Sequence, residues 1–320
     1  MNTISYTPAI LPAENIFHHI LVVGSTGSGK TFTVSRIVRG VTEKKLAKTL
    51  IIDWHGEYKY LLKPPYRYVV PNEYPVNPLN TNNSGYSETL ELLTDVLDLT
   101  PPQVYVLEKV LKNKVNRIDL VNLVEILENT VDESNWMRES RLSLLRKLYP
   151  LIRPKYRELF TGESERSISD HSEYTTIVDV STIKDPIVKR IYTATILKKI
   201  FMSPFTRRAS TKILVVIEEA QNLVSINNPL RMITSVLAEM RKFNIGLILV
   251  SQSPHRLVDD VMVNTNTKII HSVKSFADLD VIERALYMPS EIQKVIPYLE
   301  VGEAVLYTRG LKKPVIIKVE

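Results

Sequence analysis

The sequence predicts an α/β protein built on a central, mostly parallel β-sheet with an inserted all-helical subdomain. Short apolar runs alternate with helix-like patterns along most of the chain, as in proteins whose parallel strands are joined by covering helices. One long segment has only helical periodicity. We therefore expect the first part of a sheet-based core in residues 1–85, a helical insertion in 86–160 and the remainder of the core in 161–320.

Short apolar runs mark the predicted strands of the core. Helical patterns separate most of them, which favours parallel pairing, and the last two are expected to form a C-terminal hairpin. The predicted strands are Ile20–Gly24, Thr49–Asp53, Tyr66–Val70, Thr175–Val180, Ile213–Ile217, Ile245–Ser251, Lys268–Val273, Ala304–Thr308 and Val315–Val319.

Helical periodicity defines the insertion. Leu90, Leu93 and Leu97 recur at helical spacing and form one apolar stripe. Thr100 and Gln103 have the spacing of a capping box, with proline in the first turn of the helix that follows. These features predict a run of helices rather than further strands.

The composition is that of an ordinary globular protein, with 44% hydrophobic and 24% charged residues. The absence of cysteine excludes disulfide frameworks and thiolate metal or redox chemistry. No apolar run approaches the roughly 20 residues that cross a bilayer, and the N-terminus lacks a signal-peptide pattern, so we expect a cytoplasmic protein. The chain has 41 Lys and Arg residues against 35 Asp and Glu, a net charge of +6. This excess of positive charge is compatible with a polyanionic partner and equally with a solvated surface.

A glycine-rich loop joins the first predicted strand to a helical pattern. The run GSTGSGKT has the G-x-x-x-x-G-K-T spacing of a P-loop, in the context that this motif requires. Its glycines let backbone N–H groups face phosphate, Lys30 is suited to neutralise β/γ-phosphate charge, and the Thr31 hydroxyl is suited to bind Mg²⁺. The sequence predicts a nucleoside triphosphate site formed by Gly24, Ser25, Thr26, Gly27, Ser28, Gly29, Lys30, Thr31 and Phe32.

Two adjacent acids end another apolar run, KILVVIEEAQNL. In a P-loop enzyme such a pair holds Mg²⁺ and activates water, so we predict that Glu218 binds the metal and Glu219 acts on the water. The next strand ends in polar Gln252, expected to contact the γ-phosphate or the attacking water. Arg241, just before that strand, is either a surface residue or, in a ring assembly, an arginine finger for a neighbouring subunit.

The stretch TLIIDWHGEY places Asp53, His55 and Glu57 directly after the second predicted strand. Because the carboxyl ends of parallel strands share one edge of the sheet, these residues should lie beside the P-loop. They form a metal-binding set if they converge, and otherwise a group of contacts near the nucleotide. Glu57 is the best candidate for such a contact.

Two basic segments are either nucleic-acid contacts or ordinary exposed surfaces. One is the loop SPFTRRASTK, with Arg207, Arg208 and Lys212. The other ends the helical insertion, and its basic residues are Arg138, Arg141, Arg146, Lys147, Arg153, Lys155 and Arg157.

These motifs together resemble the HerA branch of the HerA/FtsK superfamily of ring-forming DNA-pumping ATPases. The resemblance extends in order from His18 to Val319. The segments that carry it are IIDWHGEY, GSTGSGKT, VVIEEAQ, MRKFNIGLILVSQSP and YLEVGEAVLYTRGLKKPVIIKV. It implies a RecA-like ATPase core that uses ATP and Mg²⁺, assembled as a homo-hexameric ring around double-stranded DNA with ATP sites between subunits.

The resemblance also implies roles for individual residues. The positions that match nucleotide binding and hydrolysis in the family are Lys30, Thr31, Glu218, Glu219 and Gln252. Arg241 matches the position of the arginine finger that acts in trans.

This sequence departs from the family pattern in three places. Resection-type members usually carry an N-terminal β-barrel that is expected to dock the nuclease NurA, and the residues before Ile20 are too few for one, so a NurA-type partnership is in doubt. Asn244 stands where Gly is usual, and Glu218 where many such enzymes have Asp. The expected protein is a reduced motor for DNA processing, transfer or packaging.

Two other functions fit parts of the sequence. A secretion or conjugation motor would energise transfer at a membrane and would need a membrane partner. A small-molecule P-loop kinase would need an acceptor pocket and no ring, and the acid pair with Arg241 counts against it. The leading prediction is a hexameric, ATP-driven DNA translocase.

Overall fold

The computed structural model describes residues 11–80, 86–113, 118–161, 175–202, 212–239, 244–286 and 288–319. All nine predicted strands are present in these ranges. They are β1 (Ile20–Val23), β2 (Lys48–Asp53), β3 (Arg67–Val69), β4 (Thr175–Asp179), β5 (Ile213–Ile217), β6 (Ile245–Ser251), β7 (Thr267–Ile270), β8 (Glu303–Tyr307) and β9 (Val315–Lys318).

The strands form one sheet in the order β3-β4-β2-β5-β6-β1-β7-β8-β9. Strand β1 lies between β6 and β7 and is parallel to both, and β5 is parallel to β2 and β6. The predicted C-terminal hairpin is confirmed, because β8 pairs antiparallel with β7 and with β9. The carboxyl ends of five neighbouring strands therefore share one edge of the sheet.

Helices connect most of the strands. Within the described residues they are α1 (Ala13–Ile16), α2 (Lys30–Glu43), α3 (Tyr58–Leu61), α4 (Tyr86–Leu97), α5 (Pro101–Asn113), α6 (Leu120–Glu128), α7 (Asn135–Leu148), α8 (Pro154–Phe160), α9 (Pro186–Phe201), α10 (Arg231–Ala238), α11 (Asp259–Asn264), α12 (Phe276–Leu286) and α13 (Ser290–Gln293).

The sheet belongs to the first of two units, which comprises Met1–Tyr68, His171–Val178 and Thr206–Glu320. Strands β5 and β6 are buried along their whole length, as expected for parallel strands covered on both faces. Helix α2 buries Val34, Val38 and Val41, spaced as one helical face, in the core beside β1. Each such side chain contributes about 1.5–3 kcal/mol of burial free energy, so α2 is fixed firmly behind the P-loop.

The second unit is helical and comprises Val69–Asp170 and Asp179–Phe205. It contains the helices of the predicted insertion and, in addition, α9, which follows β4 in the chain. Helix α9 is buried on nearly all sides and packs against α4, where the Lys198 amine donates a 2.8 Å hydrogen bond to the Thr89 hydroxyl. The unit therefore extends beyond 86–160, because α9 is buried against the helices of the predicted insertion.

Candidate functional site

Every predicted site residue that is described lies at the carboxyl edge of the sheet or in the turn that follows a strand there. The P-loop leaves β1 after Val23 and enters α2 at Lys30. Its first two N–H groups are used by the scaffold: Gly24 donates to the Ser251 carbonyl at 3.3 Å and Ser25 to the Ser272 carbonyl at 2.8 Å. The loop is thus held by the segments that end β6 and follow β7.

Two glycines give the P-loop its shape. A Cβ atom on Gly24 would lie 2.6 Å from the Ser28 hydroxyl oxygen and 2.7 Å from Cβ of His271. Gly29 has a φ of 103°, a backbone conformation that L-residues rarely adopt. The loop therefore forms a tight concave backbone at the N-terminus of a 14-residue helix, a combination that fits phosphate groups.

The C-terminal hairpin supports this loop directly. The Gly302 N–H donates to the Ser28 carbonyl at 3.4 Å, and the Val319 N–H donates to the Gly302 carbonyl at 2.8 Å. A Cβ atom on Gly29 would lie 3.0 Å from the Gly302 nitrogen. The residues that flank β8 and β9 are therefore part of the P-loop scaffold.

Lys30 points its side chain back over the loop. Its amine donates a 2.9 Å hydrogen bond to the Ser25 carbonyl, and the residue is only 8% exposed. Burial lowers the pKa of Lys30, while the negative charges of Glu219, Glu218 and Glu57 act against that shift. The cation is thus held near three carboxylates.

His271 lies beneath the P-loop and is fully buried. Its Nδ1 atom is 2.9 Å from the Glu303 carbonyl and therefore carries the proton, which leaves Nε2 to accept from the Thr33 hydroxyl at 3.0 Å. Burial lowers the pKa of His271 to about 4. This neutral imidazole packs α2 against the segment that follows β7.

Asp53 organises the turn after β2 and is fully buried. Its Oδ1 atom accepts hydrogen bonds from the N–H groups of His55, Gly56 and Glu57 at 3.3, 2.8 and 3.2 Å, and Oδ2 accepts from Tyr58 at 3.0 Å. Four backbone donors occupy this carboxylate. Within the described ranges, no group of three or more His, Cys, Asp or Glu side chains is arranged to hold a metal ion.

Glu218 is a buried acid at the end of β5, 3% exposed. Its Oε2 atom has no hydrogen-bond partner among the described residues. The buried Tyr58 hydroxyl lies beside this carboxyl group and acts to lower the pKa of Glu218. Burial, reinforced by the charges of Asp53 and Glu57, raises the pKa of Glu218 to about 8. An unsatisfied buried carboxylate oxygen near Lys30 is an environment that fits a cation such as Mg²⁺.

Glu219 follows in a left-handed backbone conformation, with a φ of 49°. Its Oε1 atom accepts from Nε2 of His55 at 3.0 Å and from the Gln252 amide, and Oε2 accepts from the Gln221 amide. The Thr26 hydroxyl donates to Oε1 of Gln252 at 2.6 Å. A chain of hydrogen bonds therefore runs from the P-loop through Gln252 to Glu219.

The sequence matches a known protein family. Residues 3–200, more than half of the chain, match the family described as Helicase HerA, central domain (DUF87). The chain belongs to this HerA family. The resemblance drawn from the sequence motifs is thereby confirmed.

Curated relatives carry the same name. The chain is 27% identical to the DNA double-strand break repair helicase HerA of Sulfurisphaera tokodaii, in an alignment that covers 94% of this chain and 64% of the relative. It is 24% identical to the protein of that name from Sulfolobus acidocaldarius, with the same coverage of both chains. This HerA-family chain thus spans less than two thirds of the length of these two relatives.

Solved structures show the same fold. VirB4 of Thermoanaerobacter pseudethanolicus superposes with a TM-score of 0.75 at 19% identity, covering 94% of this chain and 89% of that one. The bacterial conjugative coupling protein TrwB superposes with a TM-score of 0.74 at 13% identity, covering 97% of this chain and 86% of that one. The predicted fold class, a RecA-like P-loop core with a mostly parallel sheet, is confirmed.

The remaining predicted site residues of the HerA-family chain lie around this centre. Thr31 is partly buried at the start of α2, Phe32 beside it is 40% exposed, and Glu57 is exposed at the start of α3. Arg241 lies outside the described residues. Its assignment as a finger stays a prediction.

Only some of the predicted basic residues are exposed. Arg141 binds the Asp132 carboxylate through Nε at 2.9 Å, and the Lys147 amine binds the Gln103 amide oxygen at 3.1 Å. The Lys212 amine lies 4.4 Å from the Phe17 ring centroid, and Arg207 and Arg208 are outside the described residues. The exposed members are Arg138, Arg146, Arg153, Lys155 and Arg157. None of the helices in the described part of the chain is long and apolar enough to span a bilayer.

Three contributors were missed by the sequence analysis: the contact of His55 with Glu219, the amide of Gln221, and the buried His271. Gln221 had a signal in the motif IEEAQ, since it follows the acid pair by two residues. The sequence placed His55 near the nucleotide, or in a metal-binding set, but did not indicate Glu219 as its partner. Its contact depends on β2 lying beside β5, a neighbour relation that the spacing of motifs does not give.

Proposed function

We propose that this chain is the ATP-hydrolysing core of a HerA-type motor that translocates double-stranded DNA. The observation that carries the proposal is the hydrogen-bonded chain from Thr26 through Gln252 to Glu219, which links the phosphate-binding loop to a carboxylate. Hydrolysis needs a base within hydrogen-bonding reach of the attacking water, and this link joins Glu219 to the loop that binds the phosphates. The names of the curated HerA relatives add DNA as the substrate class.

The residues divide the chemistry among them. The P-loop backbone and Lys30 bind the ATP phosphates and neutralise their charge. Thr31 and Glu218 are the residues that would hold Mg²⁺, which when bound neutralises phosphate charge. Glu219 accepts the proton of the attacking water, and Gln252 orients that water or the γ-phosphate.

The working assembly in this proposal is a homo-hexameric ring. Arg241 supplies the arginine finger to the neighbour's site, and the exposed arginines and lysine at the end of the helical unit are candidates for phosphate-backbone contact. The partner is duplex DNA, with a DNA-transfer or nuclease protein as an additional partner.

Steady-state ATP turnover with and without linear duplex DNA, at low and moderate salt, tests the proposal. We expect duplex DNA to stimulate turnover several-fold at low salt and less at moderate salt, because phosphate contacts weaken as salt rises. Lys30→Ala is the control, since it should abolish turnover under every condition. Turnover that is indifferent to DNA, in a protein that also fails to bind DNA at low salt, would refute the DNA assignment.

Assembly is tested by mixing variants. Arg241→Ala should bind ATP without turning it over, because the neighbouring site loses its arginine finger. Glu219→Gln should do the same, because its own site loses the proposed base. A finger that acts in trans predicts that mixed rings regain part of the activity, because some sites then combine an intact Glu219 with an intact Arg241. Wild-type turnover by Arg241→Ala would refute the finger, whereas membrane cofractionation without DNA stimulation would favour the secretion motor.

A further inference from the structure

The side chain of His55 lies against the predicted water-activating carboxylate. Its Nε2 atom is 3.0 Å from Oε1 of Glu219, with the two side chains 48% and 11% exposed, respectively. An ionised carboxylate only accepts hydrogen bonds, so Nε2 carries the proton in this contact. The imidazole thus donates to Glu219 from the solvent side.

The direction of the imidazole is set by the turn after β2. The His55 and Gly56 N–H groups both donate to Oδ1 of Asp53, at 3.3 and 2.8 Å. Gly56 adopts a φ of 78°, which turns the chain sharply directly after His55. His55 is therefore presented by backbone that is tied to a buried carboxylate, rather than by a freely moving loop.

The position of Glu219 depends on hydrogen bonds from residues outside its own strand. Its left-handed backbone is unusual for a residue with a side chain, and persists where surrounding contacts determine it. Gln221 is on the same turn, and Gln252 also binds Thr26, so its amide responds to the P-loop. His55 is the donor that comes from the turn after β2, a neighbouring strand of the sheet.

We propose that His55 is a positioning residue that orients Glu219 for its work on the attacking water. The inference rests on the proposed ATP hydrolysis and deepens it, by assigning a role to the histidine of the DWHGEY segment. A carboxylate is effective as a base only within hydrogen-bonding reach of the proton that it accepts. Loss of the Nε2 donor leaves Gln252 on Oε1 and Gln221 on Oε2, so the carboxylate is held by two donors instead of three.

Three substitutions at position 55 test the geometry. The amide nitrogen of Gln reaches about the position of Nε2, whereas that of Asn reaches about the position of Nδ1. We expect His55→Ala and His55→Asn to lower kcat about tenfold with the KM for ATP unchanged. His55→Gln should stay within about twofold of wild type. Tyr60→Ala, an 81% exposed side chain in the following helix, is the matched control and should leave turnover unchanged.

A second background separates positioning from a merely structural role. If His55 acts through Glu219, then His55→Ala causes no further loss of turnover in a Glu219→Gln protein. Thermal midpoints should be the same for the wild type and the position-55 variants, because the contact is half exposed.

Three results would overturn the inference. The first is a wild-type kcat in His55→Ala, and the second is a kcat in His55→Gln as low as that expected for His55→Ala. The third is that His55→Ala lowers turnover by the same factor in the Glu219→Gln protein as in the wild type. A wild-type protein without ATPase activity would overturn the proposed function as well. Normal wild-type turnover that is shared by every position-55 variant would overturn the positioning role alone.

Discussion

Two carboxylates at neighbouring strand ends are held in opposite ways. Asp53, after β2, is fully buried and is bound by four backbone N–H groups. Glu219, after β5, is bound by the side chains of His55, Gln221 and Gln252. Backbone donors cannot leave without unfolding their turn, whereas side-chain donors change rotamer quickly. The first acid therefore belongs to the scaffold, whereas the second is held by side chains that can rearrange.

The largest expected effect comes from removing the charge of Glu219, the proposed water-activating carboxylate. Glu219→Gln should lower ATP turnover by about 10²–10⁴-fold, the usual worth of a general base. Nucleotide affinity should persist, and the free energy of unfolding should change by less than about 0.5 kcal/mol. Turnover and the Kd of a fluorescent ATP analogue are the measurements. Activity within about tenfold of wild type would contradict the assignment of Glu219 as base.

For Asp53, the scaffold carboxylate, we expect the main effect on stability. Asp53→Asn replaces one acceptor oxygen by an NH₂ group, which cannot accept hydrogen bonds from the backbone N–H groups that face it. The free energy of unfolding should fall by about 3 kcal/mol. Urea denaturation measures this loss. Asp260→Asn, at an exposed acid, is the control and should change stability by less than about 0.5 kcal/mol. A loss at Asp53 as small as the control's would mean that its hydrogen bonds contribute little.

His271, like Asp53, is fixed by a backbone group, the Glu303 carbonyl. Its pKa is about 4 in the folded protein and 6.5 as a reference, so the unfolded chain takes up the proton first as pH falls. Stability from this group is therefore present above about pH 6.5 and is lost as pH falls toward about 4. By about pH 5 the loss is about 2 kcal/mol.

The measurement compares wild type with His271→Gln in denaturant unfolding at about pH 7.5 and about pH 5. The free-energy difference between the two proteins should shift by about 2 kcal/mol toward the variant at the lower pH. An unchanged difference would show that His271 does not titrate between these conditions.

The smallest expected effect concerns the backbone of Glu219. Because its φ of 49° is unfavourable for residues with a Cβ atom, Glu219→Gly should be more stable than Glu219→Ala by about 1 kcal/mol. At Gln221, which lies in the short 3-10 helix Ala220–Asn222, the same pair should have the opposite order. Thermal unfolding of the four variants shows whether Gly or Ala is the more stable at each of the two positions. The same order at both positions would contradict strain at Glu219.

Much of the fold was predictable because its signals are local. Apolar runs and the helical patterns between them located all nine strands, and the glycine motif and the acid pair mark where β1 and β5 end. The extent of the helical unit was less accessible. Helix α9 shows no amphipathic stripe, so nothing in its sequence says which helices it joins.

The site was predictable as an inventory of residues but not as a network. The contacts of Glu219 cross β2, β5 and β6, and their adjacency arises from the sheet order rather than from any spacing along the chain. The scaffold role of Asp53 depends on a backbone turn that wraps around its carboxylate. Residue type favours a polar strand end there without distinguishing a structural acid from a catalytic one.

The support of the P-loop by Gly302 and Val319 has a consequence for how this protein is made. The ribosome completes the loop early, yet the hydrogen bonds from Gly302 to Ser28 and from Val319 to Gly302 join it to the last strand pair of the sheet. Contacts between residues so distant in sequence must close a long loop, which slows folding. A nascent chain therefore lacks these two hydrogen bonds until the β8–β9 hairpin has been synthesised.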